Sequence, residues 1–139
     1  MTITDDQCDL DIQRILRAEI RDLRHRHQVE LHLVRAAYSS RFSSHGFAGL
    51  PSTDQQCQMI KGSILFDEGW YLETYADVKA SGMSAEEHYV RAGAFERRNP
   101  GPGFDTYAYY LRYPDVAKAG WPALVHYEAL GRARGHLLD

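Results

Sequence analysis

Four groups of residues in this chain have types and spacings suited to chemistry. Asp9 and Asp11, in DLD, match the Asp-x-Asp pattern by which many nucleotide-sugar transferases hold a divalent metal. His25, His27 and His32 lie close together in HRHQVELH and are zinc-ligand types. The aspartate pairs 67/77 and 105/115 are of the kind that divides general acid and general base work. Thirteen of the sixteen aromatic residues lie at or after Phe66, where Tyr, Trp and Arg side by side offer stacking faces for sugars.

Each group also has a plainer reading. Aspartates just before a helix satisfy exposed amides and the helix dipole, so Asp9, Asp11 and the two pairs are expected to be caps. Residues i and i+2 of a helix point about 200° apart, so the three histidines form no compact triad and belong to a solvated or interhelical face. His27 falls on an apolar stripe, where it makes a pH-sensitive helix contact. His88 and His126 recur at equivalent places, and each is expected to fix a hydrogen bond locally. No nucleophile elbow, phosphate loop or metal-spaced cluster is present. The expectation is a non-enzyme without catalytic residues, metal or cofactor.

The elements behind these residues emerge when the sequence is shifted by 38. Residues 66–98 then lie on 104–136 without a gap and 11 of 33 positions are identical, among them Phe66/Phe104, Asp67/Asp105, Tyr71/Tyr109, Tyr75/Tyr113, His88/His126 and Gly93/Gly131. Asp67 and Asp105 read as N-caps, after which the tyrosines recur at i, i+4 on one helical face. Pro114 and Gly120 punctuate the second copy; Ser84 and Glu87 spell a capping box in the first, Pro122 opens the matching helix in the second, and Gly93 and Gly131 end both helices. A unit of this size buries too little alone, so two copies should stack and share a core. The shared tyrosines are core; Trp70, Tyr107, Tyr110 and Trp121, which differ between the copies, are the candidate glycan surface.

Upstream, Ile12, Leu16, Ile20, Leu23, His27, Leu31, Val34 and Tyr38 form one stripe with charged residues between. This predicts an amphipathic helix over 9–38. Such a helix is about 42 Å long at about 1.5 Å per residue, more than the body needs, so Ile12 to Val34 are expected to face another chain. The fold class is all-α: residues 1–40 an assembly or docking arm, 41–65 a linker with a short helix, and 66–139 a two-repeat domain divided into 66–103 and 104–139.

The pattern FD…YL..YPDV…G…HY…G over 66–136 resembles a tandem helical repeat of bacterial proteins of surface-polysaccharide biosynthesis, often beside glycosyltransferase domains. Ala76 departs from it where proline is expected, and no transferase domain fits in 139 residues. The resemblance implies an accessory module. The expected function is therefore a structural or adaptor protein, its arm making a homo-oligomer or joining a larger assembly and its body recognising surface polysaccharide. One concrete form is a spike or decoration protein of a phage-like particle or gene transfer agent. The alternative is an accessory subunit of a glycosyltransferase or polysaccharide-synthesis complex.

Charge and composition fit this. The net charge of −3 conceals seven arginines against three acids over 12–41. Because Glu19, Asp22 and Glu30 interrupt the arginines at 14, 17, 21, 24, 26 and 35, a solvated face or an acidic protein dock is expected rather than nucleic acid. Cys8 and Cys57 read as free thiols of a reducing compartment. The acidic start MTITDD lacks a secretory pattern and no run of 18 apolar residues occurs, so cytoplasmic synthesis without a signal peptide or membrane insertion is expected, with release on a particle as a further step.

Overall fold

The computed structural model describes residues 5–42 and 49–138. Among them the chain is helical and without strands, apart from one isolated bridge between Gly101 and Phe104. The long first helix, α1, spans Asp5–Phe42 (38 residues), with Asp5 and Asp6 in its first turn. It is longer than its hydrophobic pattern predicts, because the stripe marks only the apolar part of a continuous helix. Asp9 and Asp11 therefore sit inside the helix and cap nothing: Asp11 accepts from Gln7 Nε2 at 3.3 Å and lies 3.8 Å from Arg14.

The short helices follow in order: α2 (Thr53–Lys61), α3 (Glu68–Thr74), α4 (Ala76–Ser81), α5 (Ala85–His88), α6 (Thr106–Arg112), α7 (Pro114–Lys118) and α8 (Ala123–His126). Helices α5 and α8 run on into single π turns, Tyr89–Gly93 and Tyr127–Gly131. Asp67 caps α3 by accepting from Trp70 N at 3.0 Å, and Asp105 caps α6 by accepting from Ala108 N at 3.0 Å. Asp77 and Asp115 are not caps; Tyr75 and Tyr113 occupy those positions and the aspartates lie in the first turn. The full capping box is at α2, where Ser52 and Gln55 exchange bonds. At α5 only half of it forms, since Glu87 turns to Arg91 at 3.4 Å. Pro122 is the N-cap of α8 rather than its first residue.

Gly93 and Gly131 do not end their helices by a left-handed turn. Each lies in a π turn against a tyrosine hydroxyl, Tyr71 Oη or Tyr109 Oη, and a Cβ there would run into that oxygen. The extra residue of a π turn brings this bare backbone over the ring.

The core joins both ends of the chain: Tyr71, Tyr89, Tyr109, Tyr110, Ile60, Val78, Val116 and Leu124 are buried together with Val29, Leu33 and Ala36 of α1. The face of α1 that docks is 29/33/36, continued by His25, whose Nε2 donates to Leu111 O at 2.6 Å. Ser40 Oγ donates to Arg91 O at 2.9 Å at the other end of this face. Of the segment 1–40, the described residues 5–40 are thus no separable arm: the second half of α1 is one wall of the body. The stripe assigned to assembly lies elsewhere on the helix, with Ile12, Leu16, Ile20, Leu23, Leu31 and Val34 between 46% and 67% exposed and His27 exposed as well.

Candidate functional site

The four aromatic candidates do not form one surface. Tyr110 is fully buried and donates to Trp121 O at 2.7 Å, so it belongs to the core. Tyr107 donates to Glu30 Oε1 at 3.2 Å while the Arg97 guanidinium covers its ring at 5.1 Å and itself donates to Glu30 at 3.1 Å. It is a clamp between α1 and the body. Burial, then the Glu30 carboxylate, holds its phenol above the ordinary range. Trp70 is half-buried, edge-on to Tyr75 at 6.1 Å. Trp121 lines a cavity.

That cavity is a groove of about 460 Å³ bordered by Arg112, Asp115, Trp121, His126, Arg134 and His136. Its floor is built by tyrosine. Tyr109 Oη lies 2.8 Å from His126 Nδ1 and 3.0 Å from His136 Nδ1. A hydroxyl has one proton to give, so it donates to one imidazole and accepts from the other, which fixes opposite tautomers on the two rings. His136 stacks on Tyr113 at 3.8 Å, and Leu137 N donates to Tyr113 Oη at 2.8 Å, which ties the chain end down over the groove. Trp121 stands edge-on to His126 at 5.5 Å. Burial, followed by the charges of His136 and Arg134, lowers the His126 pKa to about 4, so its ring is neutral at ordinary pH.

At the positions 38 residues earlier a tyrosine–histidine contact recurs, but the neighbouring charges are paired. There Tyr71 Oη meets His88 Nδ1 at 2.7 Å and Asn99 N donates to Tyr75 Oη at 2.9 Å. Arg98 stands where the later segment has His136. Its guanidinium lies over Tyr75 at 4.9 Å, donates to both oxygens of Asp77 at 2.9 and 2.8 Å, and reaches Glu96 at 2.9 Å. That bidentate pair holds the Asp77 carboxyl below its usual range through the hydrogen bond from Arg98. Met83 replaces Trp121. In the later segment Asp115, Arg112 and Arg134 make no ion pair among the described residues, and the tryptophan is half-exposed.

A second cavity of about 370 Å³ is bordered by Ser39, Ser40, Ser52, Thr53, Gln56 and Arg91. Gln56 Nε2 donates to Pro51 O, and its buried Oε1 has no partner. Of the groove, sequence reading named Trp121 alone; the second cavity joins α1, α2 and the α5 region, which no local pattern brings together. The histidines of α1 do not converge: His25 bonds to the body, His27 is exposed and His32 is half-buried, its pKa lowered by burial and by Arg35 and Lys118. Among the described residues no group of His, Cys, Asp or Glu is arranged to hold a metal ion, no helix is long and apolar enough to cross a membrane, and Cys8 and Cys57 are unbridged. No family model, no curated protein and no solved structure matches this chain.

Proposed function

We propose that residues 66–103 and 104–139 are two stacked copies of one helical unit, and that the protein is a non-catalytic adaptor whose second copy recognises surface polysaccharide. The observation that carries this reading is the contrast between equivalent places: in one Arg98 pairs with Asp77 and Glu96, while in the other a groove lies beside Trp121 and Asp115, Arg112 and Arg134 make no ion pair among the described residues. An indole face supplies the apolar platform that sugar C–H groups pack on. The guanidinia and carboxylate supply donors and acceptors for hydroxyls, and two arginines against one aspartate favour an acidic glycan.

The Tyr–His pairs support a structural role in both copies, since each hydroxyl and imidazole is already engaged within the fold. The resemblance of the FD…YPDV…HY…G pattern to repeats of polysaccharide-synthesis proteins points to the same ligand class. A body that faces sugar and a projecting helix that joins an assembly suit a spike or decoration protein of a phage-like particle. The test is binding of the full chain to an array of bacterial capsular polysaccharides, repeated with Trp121→Ala and Asp115→Asn. The reading expects binding that falls at least tenfold in Trp121→Ala without loss of helical signal. Failure to bind any glycan, or binding indifferent to Trp121, refutes it.

A further inference from the structure

The outward stripe of α1 has a spacing of its own. Ile12, Leu16, Ile20, Leu23, His27, Leu31, Val34 and Tyr38 are separated by 4, 4, 3, 4, 4, 3 and 4 residues. They fall on three lines of period 11: Ile12–Leu23–Val34, Leu16–His27–Tyr38 and Ile20–Leu31. A period of 11 is about 3.67 residues per turn, close to the natural pitch of the helix, so the stripe stays on one side of α1 for about 39 Å from first residue to last. At about 100° per residue its midline lies about 150° around the helix from Val29. The body grips one side and the stripe runs along the opposite side, exposed throughout: Tyr38 by 65%, Val34 by 67% and Leu23 by 60%. Leu10 and Ile15 are also exposed but lie off the stripe.

Its two edges carry opposite charge. On one edge stand Glu19 and Glu30; on the other stand Arg24 and Arg35. Glu19 precedes Arg24 by five residues and Glu30 precedes Arg35 by five, which is the offset at which flanking residues of parallel, in-register helices meet across a seam. Antiparallel helices would set acid edge against acid edge and basic edge against basic edge. Glu30 is already held by Arg97 and Tyr107, which leaves Glu19 and Arg24, neither ion-paired among the described residues, as the free pair.

We infer that the outward stripe of α1 is the seam of a parallel, in-register bundle of copies of this chain, wound on an 11-residue period and locked across its edges by Glu19 and Arg24. This rests on reading α1 as the assembly element and deepens it by naming the partner. An 11-residue period winds such a bundle with a gentle right-handed sense, and the bodies, gripped on the far side of each helix, are carried around its outside with all grooves at the same level. Equivalent grooves on one particle would bind a polymeric glycan multivalently.

Light scattering and sedimentation of the full chain test this. A mass that is a multiple of 15.9 kDa is expected, falling to 15.9 kDa in Leu16→Glu/Leu23→Glu with helical signal kept. His27→Leu replaces the seam's histidine with an apolar residue and should tighten assembly at least tenfold; it keeps the question open to refutation even where the glutamate variant fails to fold. Glu19→Arg and Arg24→Glu should each weaken assembly at least threefold, and the double exchange should restore it. A monomeric wild-type chain at every concentration overturns the inference, as does an oligomer indifferent to the seam substitutions or a double exchange that restores nothing. Glycan binding is scored separately through Trp121. A monomer that binds sugar through Trp121 defeats the bundle alone, and an intact bundle that binds none defeats the glycan reading alone.

Discussion

His126 makes the stability of this fold depend on pH in a direction that can be worked out. Its ring is 6% exposed, and burial, reinforced by His136 and Arg134, holds its pKa at about 4 against an ordinary 6.5. Between those values the unfolded chain takes up a proton that the folded chain refuses. The contribution is therefore complete above pH 6.5 and is lost as the pH falls toward about 4. At about 1.4 kcal/mol per pH unit across that window the ceiling is about 3.5 kcal/mol, and solvent reaching the ring from the groove brings it to about 1–3 kcal/mol. Urea unfolding of wild type and His126→Asn at pH 7.5, 6.0, 5.0 and 4.5 singles out the effect, because every other titratable group is present in both chains. The advantage of wild type over the variant should shrink by about 1–3 kcal/mol from the highest pH to the lowest. An advantage that stays constant, or grows on acidification, refutes the reasoning.

Other substitutions test the packing. Leu33→Ala should cost about 2–5 kcal/mol in chemical unfolding, because it removes buried methyl groups between α1 and the body, whereas Ile15→Ala, exposed and off the stripe, should change stability by no more than about 0.5 kcal/mol. Gly131→Ala should cost about 1–3 kcal/mol by driving a methyl group into Tyr109 Oη. Adding Tyr109→Phe, which removes that oxygen, should make the pair markedly less than additive in a double-mutant cycle. Deleting residues 1–40 should abolish cooperative unfolding, while deleting 1–21 should leave it in place, since Val29, Leu33 and Ala36 lie beyond the shorter cut.

Features that rest on short-range physics were legible in the sequence. An aspartate before a helical run satisfies amides one turn ahead, so the caps at Asp67 and Asp105 stand where the residues alone put them, and the amphipathic run upstream is one helix. What escaped depends on distant partners. The docking face of α1 carries two large apolar residues, Val29 and Leu33, beside Ala36, and its neighbours are histidines; a moderate pattern of this kind loses to the louder stripe on the other side. The π turns have no local signature, for their cause is a tyrosine hydroxyl placed from 22 residues away. Of the groove, Trp121 was visible as a difference at the 38-residue offset. The more telling difference, Arg98 against His136, was visible at the same offset but had no meaning until Asp77 and Tyr75 were seen to receive the arginine. At the 38-residue offset the tyrosines and histidines are shared, and the residues that surround them are not: Arg98 pairs with Asp77 in the earlier segment, whereas His136 stacks on Tyr113 in the later one.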